Sequence, residues 1–491
     1  MKNIYKIALT AVAMIMVHPL TAQKKEVIKL TLEQAIHLAQ ENSPEAKSAR
    51  HSYRAAYWNY RFYKANYLPS LRLSSSPSWS NSISKITQSD GSNVFLHQNQ
   101  INTDLSLEAN QNVWFTGGSF FVKSQLRRLD DLERDTKSYQ SSPVVIGYRQ
   151  SLFGYNDLKW ERRLAPRRFQ ESRKAYNETL ELVASRTCNH FFNLAIAQAN
   201  LDIATANHAS ADTLYRYAKG RYDIGTITEN EMLQLEISKL SEETNKMNAR
   251  ISVEDQMQIF RSFLGIDHDV ELQLVTDNKI PRFTVPIGTA ISYAYENNPD
   301  PARLERQRIE SKSNLARAKA DAGLKADLYV QFGLSQKAEE FKSVYRNPSN
   351  QLYASVTLAL PILDWGRGKG RVKVARSNVD LVETRVTQQF KDFELNVSKM
   401  VRQFNMQGTQ VDIAEKTNHT AERRYDVAKR LYLMGKSTIL DLNDAISAKD
   451  AARRSYIGTL STYWSLYYGL RSMTGYDFEH NRKIEENYPN I

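Results

Sequence analysis

The chain alternates between a long helical hydrophobic pattern and a short strand-like one. Over about residues 157–220 and 371–433, apolar positions recur every three or four residues, which predicts amphipathic helices. Each run exceeds 60 residues, so a single helix there would extend over roughly 90–100 Å. Periodicity of this length without caps is typical of coiled coils. A second helix is predicted to return after each run, over residues 229–264 and 439–473.

Strand-like alternation occurs between the helical stretches. The clearest predicted strand covers residues 351–363, its partner covers 326–336, and another covers Val144–Phe153. About ten alternating residues suit a transmembrane barrel strand, and aromatic residues cluster nearby as in the girdles of such barrels. A soluble β-sandwich is the alternative, but the chain has too few strands to bury one. The fold class we predict is mainly α, with membrane strands contributed to a barrel.

The chain contains an internal duplication. The segment Ala35–Pro44 recurs as Ala290–Pro299 at an offset of 255, and Arg221–Glu231 recurs as Leu431–Asp441 at an offset of 210. The first half therefore has 45 extra residues, which lie between Leu73 and Val144 and include a predicted hairpin near residues 100–128. Whether this hairpin widens a barrel or lies outside it is open at this point.

The N-terminus resembles a secretory signal, because Lys2 and Lys6 precede a short apolar run and small residues. No Cys follows the expected cleavage point, so we expect no lipid anchor there. The stretch from Glu479 to Ile491 is polar, and we expect it to be loosely ordered. The predicted organisation is a signal peptide (1–22), a first repeat with its tip near 225 (23–264), a linker (265–286), a second repeat with its tip near 435 (287–475) and a C-terminal tail (476–491).

Composition narrows the possible partners. The formal net charge is +12, but Lys and Arg alternate with Glu and Asp as on solvated helix faces, so we expect no nucleic acid partner. Cys188 is the only cysteine, which excludes an internal disulfide, and we expect it to be a buried apolar residue. After the signal, no run of 18 apolar residues occurs. A membrane role would therefore require a barrel or a surface contact.

The sequence shows no catalytic constellation. The nine histidines are scattered, and neither a His-Glu-x-x-His nor a Gly-x-Ser-x-Gly motif is present. The segment Gly366–Arg371 is rich in glycine but lacks the Walker spacing, so we interpret it as a flexible corner between a strand and a long helix. We therefore expect no enzyme, no cofactor and no metal site.

The loops around Gly225 and Gly435 are candidate functional tips, because each joins two long helices. Asp441 and Asp444 are three residues apart, a spacing that places both carboxylates on one face of a helix. Acidic residues are also common at helix starts, where the macrodipole favours them. Their position at the end of a hairpin about 100 Å long favours a second role. If several copies meet there around an axis, the carboxylates form rings of the kind that select cations.

Taken together, these features resemble the TolC-like outer-membrane efflux channels. The resemblance rests on the duplicated Ala-Ile…Glu-Asn-x-Pro helix, the strand pairs, the Leu360–Arg367 corner and the Tyr-x-x-Gly tips. It implies a homotrimer in the outer membrane of a Gram-negative bacterium, with lipid around a β-barrel and a long helical tunnel in the periplasm. It further implies a periplasmic adaptor protein and an inner-membrane transporter of the resistance-nodulation-division or ABC type as partners.

The resemblance also assigns roles to the tips. In the family, an acid of the first tip is held by a Tyr of the second and two Asp residues ring the entrance, which implies a gate latch of Glu231 with Tyr432. The family's latch Arg would fall on Ser437, with Lys436 as the adjacent cation. The resemblance also implies that Asp441 and Asp444 form the entrance ring. The residues that it implies contact the adaptor are Gly225, Thr226, Gly435, Lys436 and Ser437.

The expected function is a passive exit duct of a tripartite efflux system that conducts drugs or other small molecules. Two alternatives remain at this stage. The duct could instead serve a type I protein secretion system, or the chain could be a periplasmic coiled-coil scaffold without a pore. The scaffold would leave the alternating strands unexplained.

Overall fold

The structure, a computed structural model, describes residues 27–266, 270–275, 279–484 and 488. The predicted signal peptide, residues 1–22, lies outside the described residues. The helices of this part of the chain are α1 (Leu32–Asn42), α2 (Pro44–Ala65), α3 (Asp157–Asp223), α4 (Glu229–Leu264), α5 (Ile287–Asn297), α6 (Pro299–Ala322), α7 (Arg367–Leu433) and α8 (Ile439–Thr474). Of these helices, none within the described residues has the length and apolar character needed to cross a membrane.

Of the strands in the described part of the chain, six are long and four have five residues or fewer. They are β1 (Val27–Thr31), β2 (Ser70–Thr87), β3 (Asn93–Val113), β4 (Gly118–Asp131), β5 (Thr136–Ser151), β6 (Glu271–Val275), β7 (Lys325–Ala338), β8 (Ser349–Ala359), β9 (Tyr476–Asp477) and β10 (Arg482–Lys483). Both halves follow one order, with a short helix, a longer helix, strands, a very long helix and a return helix. This order is what the duplicated sequence markers predict.

Local sequence explains where the helices begin. Thr31 and Gln34 form a reciprocal capping box at the start of α1. The Ser43 hydroxyl accepts a hydrogen bond from the Ala46 amide at the start of α2, and Pro44 occupies the first turn, where its missing N–H is harmless. In the second half, Asn298 caps α6 in the same position.

The four long helices form one layer. Each hairpin packs α3 on α4 and α7 on α8, and the inner helices α3 and α8 also pack on each other, so α4 and α7 are the outer helices. The two longest helices have 67 residues each, which corresponds to about 100 Å. Aromatic side chains fill the middle of the layer, with Phe191, Phe260, Phe404 and Tyr463 almost fully buried. The layer positions the two hairpin tips side by side.

A buried ion pair joins the two halves. Arg471 of α8 donates two hydrogen bonds to Glu181 of α3, at 2.9 and 3.2 Å, and one to Asp477, at 2.8 Å. Glu181 and Asp477 are both buried, so the fork of Arg471 provides the compensation that buried carboxylates require. Asp477 and its exposed neighbours Glu479 and His480 form the one described group whose atoms lie close enough to hold a metal ion. The Asp477 carboxylate of that group is already paired with Arg471.

Two segments differ from the sequence-based expectations. The predicted linker contains β6, which pairs in parallel with β1 over five residues. Its short Glu-Leu-Gln-Leu-Val pattern gives too weak a signal to distinguish a strand from a connection. The stretch from Glu479 onward was expected to be loosely ordered, but its residues Arg482 and Lys483 form β10, which pairs with the buried β9. The Tyr476 hydroxyl donates to Asn481 at 2.8 Å, which fixes the turn.

Six strands form one antiparallel sheet in the order β2-β3-β4-β5-β7-β8. The predicted strand over 351–363 ends earlier, at Ala359, because Pro361 has no amide to donate to the ladder. Ile362 and Trp365 are instead about nine-tenths exposed, at 94% and 90%. The predicted hairpin near 100–128 is present and longer, because β3 and β4 extend to Asn93 and Asp131.

The sheet has one apolar face along its whole width. A single row of directly paired residues crosses all six strands and is apolar throughout. The next row belongs to the opposite face and is mostly polar, which is the alternation of a membrane wall. The apolar row consists of Leu71, Ala109, Val122, Ile146, Phe332 and Leu352, and the row beside it begins with Arg72, Glu108 and Lys123.

Candidate functional site at the hairpin tips

The first tip is a tight loop between α3 and α4. Gly225 has a φ of +74°, a left-handed conformation that glycine adopts without steric penalty. The Gly225 amide donates to the Tyr222 carbonyl at 2.8 Å, and the Thr226 amide donates to the Arg221 carbonyl at 2.9 Å. The Thr226 hydroxyl donates to that carbonyl as well, at 2.9 Å. These bonds satisfy the last carbonyls of α3 and reverse the chain within a few residues.

The second tip repeats this backbone. Gly435 has a φ of +71°, its amide donates to the Tyr432 carbonyl at 2.9 Å, and the Lys436 amide donates to the Leu431 carbonyl at 2.9 Å. Neither tip glycine has a neighbouring atom within 4 Å of where a Cβ would lie. The requirement for glycine at both tips is therefore conformational and not steric.

Reciprocal capping boxes start both return helices. The Thr228 hydroxyl accepts from the Glu231 amide at 3.3 Å, while the Glu231 carboxylate accepts from the Thr228 amide at 3.1 Å. Thr438 and Asp441 form the same pair at 3.2 and 3.1 Å. Glu231 and Asp441 are thus equivalent cap residues. The Thr-x-x-acid pattern is visible in the sequence and is typical of a capping box. It could have predicted the capping role of Glu231 and Asp441, which the sequence alone did not lead us to assign.

Asp441 accepts more hydrogen bonds than its counterpart. The Thr438 and Ser437 hydroxyls also donate to its carboxylate, at 2.7 and 3.0 Å. These contacts hold the pKa of Asp441 below its usual value, chiefly through the Thr438 hydroxyl, then the Thr438 amide and the Ser437 hydroxyl. Ser437, the position at which the family resemblance implies an Arg, therefore serves to keep Asp441 ionised.

Asp444 forms an ion pair that the sequence did not reveal. Its carboxylate accepts a hydrogen bond from the guanidinium of Arg424, which lies on α7, the other helix of the hairpin. Both side chains are more than half exposed, so the pair contributes little to stability. Its consequence is electrostatic, because Arg424 partly offsets the negative charge of Asp444. Asp441 and Asp444 share the exposed start of α8 without bonding to each other.

Tyr432 lies between the two tips. Burial raises the pKa of its phenol, and two charged residues of the first tip also act on it, Arg221 lowering the pKa and Glu231 raising it. The Glu231 carboxylate bonds to its own cap residue, Thr228, in this structure. The cation that acts on the pKa of Tyr432 is therefore Arg221, which sequence reasoning missed, whereas Lys436 makes no ion pair with any described residue.

The tips contact each other through a small apolar cluster. Leu214 and Ala218 of α3, Leu235 of α4 and Leu442 of α8 are buried together, and Tyr432 packs against them. At the ends of the hairpins other apolar side chains remain uncovered, with Ile224 and Leu440 each 74% exposed and Met434 58% exposed. The two tips thus form one unit with a small core and an apolar outer surface.

The family model for the outer membrane efflux protein matches residues 116–265 and 290–475. These ranges cover more than half of the chain and include both tips. The chain belongs to the outer membrane efflux protein family. No curated protein sequence matches it significantly.

Several solved structures of low sequence identity share its fold. The outer membrane channel CmeC of Campylobacter jejuni is 16% identical with a TM-score of 0.66, over 92% of this chain and 87% of that chain. VceC of Vibrio cholerae is 15% identical with a TM-score of 0.63, over 90% and 96%. The MtrE channel of Neisseria gonorrhoeae, solved in its open state, is 13% identical with a TM-score of 0.62, over 92% and 90%.

This outer membrane efflux protein is therefore an outer-membrane exit duct, as predicted. Its sheet lies in the outer membrane and its helical layer extends into the periplasm. The fold and the family are those of channel proteins. The predicted fold class is confirmed, and the scaffold alternative does not account for the membrane sheet.

Proposed function

We propose that three copies of this efflux protein form a closed tube that conducts small molecules passively. The observation that supports ring formation is a pair of uncovered apolar stripes on the outer helices. Apolar side chains at heptad-like spacing cover an α-helix surface that normally packs on another helix. On the half of α7 next to its tip the exposed members are Leu395, Met406, Ile413 and Val427, and on α4, which is about half as long, they are Ile237, Leu240, Met247 and Ile251.

These stripes fit each other in a ring. Because α4 and α7 are the two ends of the helical layer, α4 of one copy can pack on α7 of the next copy. The same relation holds in the sheet, whose two end strands are β2 and β8. Head-to-tail contacts that close on themselves give cyclic symmetry. The family resemblance gives the number of copies as three.

In this assembly the second tip lines the entrance of the tube. Asp441 and Asp444 of three copies then form rings of negative charge, which attract cations and repel anions. The hydrogen bonds to Asp441 keep its ring charged. Arg424 moderates the ring formed by Asp444.

The contact between the two tips serves as the gate latch. Glu231 and Arg221 of the first tip act on the pKa of Tyr432 of the second tip, and outward movement of the second hairpin separates these groups. The apolar cluster around Leu214 and Leu442 must also separate or slide. Opening is then a shift between two packed states and needs no chemical step.

The outer surface of the tips is the docking site for a periplasmic adaptor protein. Gly225, Thr226, Gly435 and Lys436 are exposed there, with Ser437 half-buried beside them. Ile224, Met434 and Leu440 add uncovered apolar area, which is the usual core of a protein interface. An inner-membrane transporter of the resistance-nodulation-division or ABC type supplies the energy through that adaptor.

Assembly through the outer helices is tested by placing charge in the α4 stripe. We expect Ile237→Asp with Ile251→Asp to convert the trimer to monomers in size-exclusion chromatography with light scattering, because each carboxylate would be buried between copies. The matched control is Glu243→Ala on the polar side of α4, which should remain trimeric. A double variant that stays trimeric would rule out the α4–α7 contact.

A further inference from the structure

The first half of the chain carries two more strands than the second. In the two halves, the helices before the strands start 255 residues apart and those after the strands start 210 residues apart, so 45 residues are inserted between β2 and β5. The insertion comprises β3 and β4. In the sheet these strands lie between β2 and β5, whereas β7 pairs directly with β8 in the second half. The insertion is therefore part of the hydrogen-bonded wall.

The inserted hairpin has the surface pattern of the strands around it. On the apolar face, Ala109 and Val122 continue the row from Leu71 to Ile146 without a break. On the polar face, Asp104 of β3 pairs with Arg127 of β4 at 2.7 Å and accepts from Gln125 at 3.0 Å. Apolar residues toward lipid and charged residues toward water are what a membrane-spanning position requires.

Side chains on the polar face fix the insertion to the rest of the sheet. Phe121 of β4 is almost completely buried, at 1% exposure, and covers Gly147 of β5, where a Cβ would lie 2.2 Å from the ring. The ring stacks on Tyr329 of β7, with centroids 5.7 Å apart. Arg149 lies 4.2 Å above the Phe121 ring and reaches Glu108 of β3 at 3.5 Å. These contacts connect β3, β4, β5 and β7.

We propose that every copy contributes all six strands to the barrel, so that the trimer encloses a wide exit of eighteen strands. The number of copies rests on the proposed function. β2 is bonded only to β3 and β8 only to β7 among the described strands. An even number of alternating strands makes β2 and β8 run in opposite directions. The occupant of each open edge is therefore the other edge of a second copy, in antiparallel pairing.

The insertion changes the width of the exit. With a strand spacing of about 4.8 Å and a tilt of about 40°, eighteen strands give a backbone diameter of about 36 Å, and twelve strands would give about 24 Å. The polar face of β2 is lined almost entirely by serine, which suits hydrated cargo. The members of this row are Ser74, Ser76, Ser78, Ser80, Ser82 and Ser84. The exit thus suits bulky, hydrated polar solutes that a narrower wall would exclude.

A labelling experiment tests the width directly. Ser355 pairs with Tyr329 on the polar face of β8, so Ser355→Cys places a thiol inside the barrel. Maleimide-polyethylene glycols of increasing length are added to intact cells, and the longest reagent that labels the channel is recorded. The native thiol of Cys188 is buried, so it should contribute little background labelling. Val356→Cys, on the lipid face, is the control that should resist these reagents.

The comparison is made in a variant that lacks residues 91–135, the 45 inserted residues. In this variant β2 would pair directly with β5, as β7 pairs with β8 in the second half. The same register would place Leu73 opposite Ile146, so the apolar and polar faces of the sheet would both be preserved. We expect the longest labelling reagent to be clearly longer for the full chain than for the deletion. An identical cut-off in two trimeric channels would overturn the proposal. Should the deletion fail to assemble, electron cryo-microscopy of the intact trimer decides between the diameters of about 36 Å and about 24 Å.

A failure of the proposed trimer would give a different result from a failure of the proposed barrel width. A chain that forms no trimer would refute the ring itself, independently of the barrel width. A trimer with a twelve-stranded wall, and with the inserted hairpin outside it, would refute only the inference made here.

Discussion

The two hairpin tips have the same backbone and different charges. Both turn at a left-handed glycine, and both start the return helix with a Thr-based capping box. Asp444 and Arg424 of the second hairpin correspond, 210 residues earlier, to Gln234 and the buried Leu214 of the first. The ion pair of the second tip is thus replaced by an uncharged position and an apolar contact in the first.

This difference shows that the two halves share a backbone fold while a few tip side chains differ in charge. Arg221 of the first tip corresponds to Leu431 of the second, so the first tip supplies a cation and the second a Tyr and two carboxylates. Substitutions at the two tips can separate what the tips share from what distinguishes them.

In the proposed assembly, the contact between the two tips holds the channel closed. We expect Tyr432→Phe combined with Glu231→Ala to raise the resting conductance in planar bilayers. Loss of about 1.4 kcal/mol per channel would increase the open fraction about tenfold. Arg221→Gln should act in the same direction, because the charge of Arg221 acts on Tyr432.

The control for this gate is Tyr222→Phe, the equivalent substitution in the first tip, which should leave the resting conductance unchanged. A double variant as tightly closed as the unmodified channel would mean that another contact holds the gate.

The negative rings should set ion selectivity. We expect Asp441→Asn with Asp444→Asn to lower the cation-to-anion permeability ratio severalfold and to weaken block by trivalent cations, as measured from reversal potentials in a salt gradient. Arg424→Gln should shift the ratio in the opposite direction by a smaller amount, since it removes the charge that offsets Asp444.

The matched control adds a carboxylate to the first tip. Gln234→Asp should not alter selectivity, because the first hairpin does not line the entrance in this assembly. If Gln234→Asp changes selectivity as much as the double Asn variant does, the assignment of the inner ring to the second hairpin fails.

Selectivity should persist into mildly acidic solution. The pKa of Asp441 is lowered in the folded channel, so its charge and its contribution to stability are present above the ordinary carboxyl pKa and are lost only as the pH falls through the lower folded value. Ser437→Ala removes one donor and should move the loss of selectivity to higher pH. Identical pH profiles for the two proteins would show that Ser437 does not support the charge.

Substitutions in the two capping boxes should have the smallest effects on the channel. Thr228→Ala and Thr438→Ala each remove a helix cap, which typically destabilises a helix start by about 1 kcal/mol. We expect faster hydrogen exchange of the first-turn amides of α4 after Thr228→Ala. A smaller change is expected in α8 after Thr438→Ala, because Ser437 still donates to Asp441. Equal exchange rates at both tips would contradict this ranking.

The sequence predicted the parts of this channel that depend on local pattern. The approximate bounds predicted for α4 and α8 agree with the observed ones to within one residue, because the 3.6-residue period is a property of neighbouring residues. The tip glycines were found for the same reason. The β8 strand was predicted too long because alternation continues through Pro361, which cannot donate to the ladder.

Contacts between elements could not be read from the sequence. The pairing of Arg424 with Asp444 depends on how two antiparallel helices face each other, and the action of Arg221 on Tyr432 depends on how two hairpins pack. Likewise, the insertion of β3 and β4 into the sheet follows from cross-strand contacts such as Phe121 over Gly147. Sequence alone left that hairpin either inside or outside the barrel wall.

The central claim is that the second hairpin, and not the first, lines the entrance of a trimeric tube. Cross-linking tests it directly, since Cys188 is buried and burial raises the pKa of its thiol, which leaves it unreactive. Asp444→Cys and Gln234→Cys are treated with a short bis-maleimide and examined on denaturing gels. We predict covalent dimers and trimers for Asp444→Cys and monomers for Gln234→Cys. Cross-linking of Gln234→Cys with none of Asp444→Cys would contradict the account.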